Sequence, residues 1–220
     1  MNATVVVAAY NEAGAIGAVV GGLRAAGWPV IVVDDGSGDT TGDVARGAGA
    51  TVLRHVLNLG QGAALQTGID HAVAGGAEAV VTFDADGQHD PGDIPALLAA
   101  LDDGADVALG SRFLGAMPGV SRGRAAFLRA AVLVSNALSG LRLTDAHCGL
   151  RAFRARALPP LRITQDRMAH ASQLLARIKA ARLTVREVPV TVAYTAYSKA
   201  KGQGGLQAVR VLFDTFFRTG

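Results

Sequence analysis

Short apolar runs rich in β-branched residues recur along the first half of the chain, each separated from the next by a stretch of helical character. The runs are 4–9, 30–33, 51–53, 79–83 and 105–109. Between them lie 13–26, 40–49, 62–75 and 93–102, the first with Ile16, Val19, Val20 and Leu23 on one stripe. Uncharged strands that alternate with helices at this spacing require both sheet faces to be covered, which leaves an α/β architecture with a mostly parallel central sheet and helices on both faces. The second half departs from this rhythm. A long helix is expected over 122–138, a polar loop over 145–151 leading into Ala152 and Phe153, and a helix over 168–182. A strand over 183–190 carries Pro189 near its end, which suits a sheet edge. A loop over 194–205 and a terminal helix over 206–217 complete the pattern. No repeat or low-complexity linker divides the 220 residues, so one domain over 1–220 is expected.

Composition narrows the functional classes. Half the residues are hydrophobic (50%), enough for a large core, and 28 glycines suit tight strand-to-helix turns. The formal charge of +3 comes without a dense Lys/Arg run, so a nucleic-acid partner is not expected. One cysteine, Cys148, excludes an intrachain disulfide and fits a reducing compartment. The N-terminal residues lack a basic secretory region, and the most apolar stretch, 125–143, is broken by Arg129, Asn136 and Arg142. A cytoplasmic protein, peripheral at the inner face of the membrane, is the expectation.

Three strands end in polar clusters: Ala9, Tyr10, Asn11 and Glu12 after the first; 34–39, with Asp34 and Asp35, after the second; and 84–89 after the fourth. Ligands of open α/β sheets collect beyond the carboxyl ends of the strands, so the clusters are expected to form one site. Asp84 and Asp86, two apart on an extended chain, face one ligand. With the Gln88 carbonyl they make a hard oxygen set suited to Mg²⁺ or Mn²⁺ holding phosphates. His89 leads into the turn at Asp90 and Pro91 and is expected to stand behind the ligands. The loop 58–62, ending at Gly62, opens a helix and can admit a phosphate to free amides. No GxGxxG follows the first strand and no GxxxxGK[ST] occurs anywhere, which removes the main support for dinucleotide-binding and ATPase readings.

Tyr10-Asn11-Glu12, the segment 33–41, Asn58-Leu59-Gly60-Gln61-Gly62, Asp84-Ala85-Asp86-Gly87-Gln88-His89 and Gly110-Ser111-Arg112 occur in the order found in family 2 nucleotide-sugar glycosyltransferases. The chain resembles that family from Val5 to about Arg151. The segment 145–151, with Glu187-Val188-Pro189-Val190 and Ser198-Lys199, further resembles the polyprenyl-phosphate sugar synthases, including a bacterial branch linked to polyprenyl-phosphate hexosamine. The resemblance implies a GT-A type nucleotide-diphospho-sugar transferase fold. It places Ala9, Tyr10, Asn11, Glu12 and Asp35 on the nucleotide, with Asp35 accepting from a base N–H and Glu12 near the ribose. It places Asp84, Ala85, Asp86 and Gln88 at the metal and diphosphate, and Arg112, Arg151 and Lys199 near the donor or acceptor phosphates.

The reaction so implied is a single displacement, with inversion, moving a hexose or N-acetylhexosamine from a UDP- or GDP-sugar to polyprenyl phosphate. A lipid phosphate is already anionic and needs no base, whereas a hydroxyl acceptor must lose a proton. The alternative acceptor is therefore a glycan or small-molecule hydroxyl, with Asp166 as base. Two departures stand out: the Arg that commonly precedes the Ser-Lys pair is absent, with Lys201 as a substitute, and Leu150 replaces the usual Phe. A sugar-phosphate nucleotidyltransferase would want a basic glycine-rich first loop, and a non-catalytic binding module would lack the paired carboxylates; neither fits. In the tail, Val209, Leu212, Phe213, Phe216 and Phe217 follow helical spacing. A helix over 206–220 packed on the domain, lying on membrane, or docking a small membrane protein all remain open, as does assembly of identical chains.

Overall fold

The structure is a computed structural model that describes residues 1–165 and 169–194. Asp166, Lys199, Lys201 and the tail helix at 206–220 lie outside the described residues, as does the side chain of His170.

The first half follows the strand–helix alternation: β1 (Ala3–Ala9), α1 (Ile16–Ala25), β2 (Val30–Asp34), α2 (Thr41–Gly47), β3 (Thr51–Arg54), α3 (Gln61–Ala74), β4 (Ala79–Asp84) and α4 (Ile94–Asp102). Then come β5 (Val107–Ala116), α5 (Arg122–Ser139), β6 (Arg151–Arg154), α6 (Ala169–Ala180) and β7 (Val185–Thr191). The strands form one sheet in the order β3-β2-β1-β4-β6-β5-β7. β1 runs parallel to β2 and β4, β2 to β3, and β5 to β7. β6 alone is reversed, antiparallel to both β4 and β5. β7 lies at the edge, with Pro189 beside Ser111.

Two differences from the sequence pattern shape the edge of the sheet where the polar clusters gather. The stretch after the 145–151 loop becomes a hydrogen-bonded strand inside the sheet, which buries Ala152 and Phe153 between β4 and β5. The fifth strand also continues past Leu109 through Arg112, to Ala116. Pairing with β7, which periodicity does not reveal, extends it.

Both faces are covered. On one face, Ile16, Val20 and Leu23 of α1 and Ile94, Leu97 and Leu101 of α4 pack with Val5, Val7, Val81 and Phe83 of the sheet. On the other, Leu65 and Ile69 of α3 meet Val6, Val33 and Val80, while α6 covers Val107, Leu109 and Phe153 through Leu174, Leu175 and Ile178. α3 sits close to the sheet because Gly68 has no side chain; a Cβ there would fall 2.3 Å from Val6 Cγ1. α5 is bounded by Ser121, whose Oγ accepts from the Arg124 amide, and by Gly140 in the left-handed conformation. Among the described residues, no helix is long and apolar enough to cross a membrane.

Candidate active site

The parallel strands bring the ends of β1, β2 and β4 to one edge of the sheet. Because β6 runs the other way, its first residue, Arg151, arrives at that same edge, where Arg151 lies across from Thr82 of β4. A cleft of about 810 Å³ opens there. Ala9, Tyr10, Glu12, Asp35, Asp84, Ala85, Asp86, Gln88, Arg112 and Arg151 all line it.

At the β2 end, two consecutive aspartates divide their work. Asp34 is fully buried; its Oδ1 accepts from the Ser37 amide at 2.9 Å and its Oδ2 faces Arg54 at 3.5 Å. It closes the turn and does not face the cleft. Asp35 does face it, while its carboxylate also accepts from the Leu59 amide (2.9 Å), the Gly60 amide (2.7 Å) and His55 Nδ1 (2.7 Å). The His55 Nε2 meets Thr67 Oγ1 of α3 at 3.0 Å. Asp35 therefore holds the 55–60 loop as well as opening on the cleft. This double duty was not expected from the sequence; the only signal was a histidine just beyond the third strand.

Asn11 and Gly62 are placed differently from the other residues expected at the nucleotide. Asn11 takes a left-handed φ of 53°, donates its amide to Ser37 Oγ and accepts from the Gly38 amide, so it ties the β1 loop to the β2 loop. Gly62 is buried in the first turn of α3, behind Gly60 and Gln61, which line the cleft.

At the β4 end, Asp84 Oδ2 meets His89 Nε2 at 2.8 Å, and His89 is 8% exposed. His89 thus stands behind the carboxylate. Burial works against the charge of Asp84, but the hydrogen bond and charge of His89, with Arg151 and Arg112, outweigh it and hold its pKa below the usual carboxylate value. Asp86 is in the opposite situation: burial and the charge of Asp84 push its carboxyl up to about 6, against the Gln88 amide at 3.1 Å. Gly149 packs on Asp84 so closely that a Cβ would fall 2.2 Å from Oδ2 and 2.3 Å from Oδ1. Thr82 Oγ1 donates to the Gly149 carbonyl at 2.8 Å and keeps that backbone in place.

Beyond Asp84 the cleft becomes cationic. Arg112 Nε contacts Asp145 Oδ2 at 2.6 Å and Nη1 reaches the Tyr194 hydroxyl at 3.1 Å. Burial opposes its charge, but Asp145 more than compensates and Arg112 stays a cation. Arg151 Nε donates to the Cys148 carbonyl at 2.7 Å. The Arg124 guanidinium lies 5.0 Å from the centre of the Tyr194 ring. Asp145 is itself held by its neighbours: its amide donates to Glu187, and its Oδ1 accepts from the His147 amide. Burial and the two arginines lower the pKa of His147, which favours its neutral form. The wall past these groups is apolar, with Leu128, Leu161 and Leu174.

Cys148 lies close by but is 2% exposed, and burial, followed by Asp145, pushes its thiol up to about 12. The native protein is therefore expected to resist iodoacetamide under mildly alkaline conditions that fully alkylate the denatured chain, as read by intact mass. Rapid native labelling would contradict this buried placement.

A mostly parallel sheet with helices on both faces and acidic strand ends at one edge is the arrangement of a GT-A type fold. The chain belongs to glycosyl transferase family 2, whose profile matches residues 4–160. It is 31% identical to a UDP-N-acetylglucosamine–dolichyl-phosphate N-acetylglucosaminyltransferase of Methanococcus voltae, over 97% of this chain and 92% of that one. It is 32% identical to an undecaprenyl-phosphate mannosyltransferase of Micrococcus luteus, over 94% and 89%. Glucosyl-3-phosphoglycerate synthase of Mycobacterium tuberculosis, solved with Mn²⁺, UDP and glucosyl-3-phosphoglycerate, shares the fold with a TM-score of 0.69. That match is 21% identical and covers 97% of this chain and 79% of that structure. The protein is therefore a glycosyltransferase.

Proposed function

We propose that the enzyme moves a hexose or N-acetylhexosamine from a UDP- or GDP-sugar to polyprenyl phosphate, with inversion, while peripheral at the inner face of the cell membrane. The observation that carries this reading is the pair of buried arginines, Arg112 and Arg151, opening onto the same cleft as Asp84 and bordered by an apolar wall. The Methanococcus and Micrococcus relatives act on dolichyl and undecaprenyl phosphates by their names, which supports the acceptor class.

The donor set fits a divalent cation. Among the described residues no group of three or more His, Cys, Asp or Glu side chains forms a metal cage. Asp84 and Asp86, with the Gln88 side chain, would hold Mg²⁺ or Mn²⁺ from one side and leave its other positions to substrate phosphates. When bound, such a cation neutralises charge on the departing diphosphate. The Gln88 amide and His89 keep the two carboxylates oriented. Asp35 and Tyr10 bind the nucleotide, and Arg112 and Arg151 draw the acceptor phosphate toward the anomeric carbon. A phosphate oxygen attacks that carbon from the face opposite the leaving group; the carbon–oxygen bond to the diphosphate breaks and its electron pair leaves with the nucleoside diphosphate. No proton is removed from the acceptor, so this route requires no base.

Radiolabelled UDP- and GDP-sugars incubated with short polyprenyl phosphates and Mg²⁺ are expected to yield label in an acid-labile, organic-soluble product. Label found only in water-soluble glycosides would overturn the lipid-phosphate acceptor and favour a hydroxyl one.

A further inference from the structure

The hydrogen bonds already made by Asp35 bear on which nucleotide the cleft accepts. A carboxylate offers about four acceptor positions, two on each oxygen. Oδ1 of Asp35 receives His55 Nδ1 at 2.7 Å and the Leu59 amide at 2.9 Å. Oδ2 receives the Gly60 amide at 2.7 Å. Among the described residues these are the donors to Asp35, which leaves one position on Oδ2, and Asp35 borders the cleft.

A guanine ring presents two neighbouring donors, N1–H and the N2 amino group, which suit a carboxylate with both oxygens free. Uracil presents a single donor, N3–H, flanked by two carbonyls. Cytosine carries a lone pair at that ring nitrogen, which would face the carboxylate with like polarity. We infer that the His55–Asp35 pair makes this a uracil site, so that the donor is a UDP-sugar and the enzyme discriminates against GDP-sugars. This rests on the proposed nucleotide-sugar transfer and makes its donor specific.

His55 is the group that sets the count. The two amides belong to the backbone and remain under any substitution, whereas the imidazole is held on Oδ1 by its second contact, to Thr67. His55 lies behind Asp35 and acts on the base through it, as a positioning residue. A site with a single acceptor leaves the second donor of guanine desolvated and unpaired, and such mismatches are rejected more strongly than differences in apolar size.

Calorimetric titration of the wild-type enzyme with UDP, GDP and CDP in the presence of Mg²⁺ tests the inference. UDP is expected to bind at least about tenfold more tightly than GDP or CDP, the discrimination that follows from one unpaired donor or one opposed lone pair. His55→Leu removes the contact that fixes Oδ1 away from the cleft, and is expected to narrow the UDP-to-GDP ratio severalfold by letting the Asp35 carboxylate turn a second acceptor position toward guanine. GDP binding as tightly as UDP to the wild type would overturn the inference while leaving a nucleotide-sugar transferase intact. Failure of all three nucleotides to bind would remove the transferase reading itself. An unchanged ratio in a His55→Leu protein with a native melting curve would remove His55 from the determinant. If that variant does not fold, the wild-type comparison still decides for or against uracil.

Discussion

Asp86→Asn is expected to lower sugar transfer roughly a thousandfold, the scale on which a directed electrostatic contact to a leaving group contributes. The same variant is expected to melt no earlier than the wild type. Asp86 is destabilised by its burial and by the neighbouring charge of Asp84, and an amide of the same shape relieves that repulsion. Loss of activity together with preserved or raised stability separates a ligand-binding carboxylate from a structural one. Product formation across a Mg²⁺ series, alongside a melting curve, is the measurement. Near-wild-type turnover at modest Mg²⁺ would dismiss Asp86 from the reaction, and a marked fall in melting temperature would show that it holds the fold instead.

Gly149→Ala is expected to be nearly as damaging for a steric reason. The new methyl group would occupy the position of the Asp84 carboxylate, with both oxygens within 2.3 Å. Neither side can readily give way, since Thr82 holds the Gly149 carbonyl and His89 holds Asp84. Asp84 must turn away, and a displacement of that order near reacting groups costs about a hundredfold in rate. Initial rates at saturating donor and acceptor would show this as a loss in kcat. A variant that retains most of its kcat would mean that Asp84 tolerates another rotamer.

The parts of this molecule that could be read from sequence are those governed by local order. Strands such as 30–34 and 79–84 are largely apolar because they are covered on both faces, and each closes on an aspartate. The placement of Asp84 and Asp86 at a shared edge follows from parallel pairing, which the strand–helix alternation already demands. What could not be read depends on partners far along the chain. Asp34 and Asp35 are identical in type and adjacent, so local pattern does not separate them; the family resemblance picks out Asp35, and packing turns Asp34 toward Ser37 and Asp35 toward the cleft. Gly149 reads as an ordinary loop glycine until Asp84, distant in sequence, is placed against it. The anchoring of Arg112 by Asp145 and Tyr194 likewise joins three separate segments.

The reversed strand β6 has a further consequence, for the order in which the molecule can be built. β4 and β5 are not paired with each other; within the sheet they are joined only through the four residues of β6. Strands β1 to β4 can pair among themselves as soon as residue 84 is available, so the half with the acidic strand ends draws on chain segments close in sequence. The half that carries Arg112 has no place in the sheet until residues 151–154 slot into the gap. The same insertion that zips the two halves together delivers Arg151 beside Asp84. Pairing of β6 thus joins the two parts of the sheet and completes the cationic wall in the same contact.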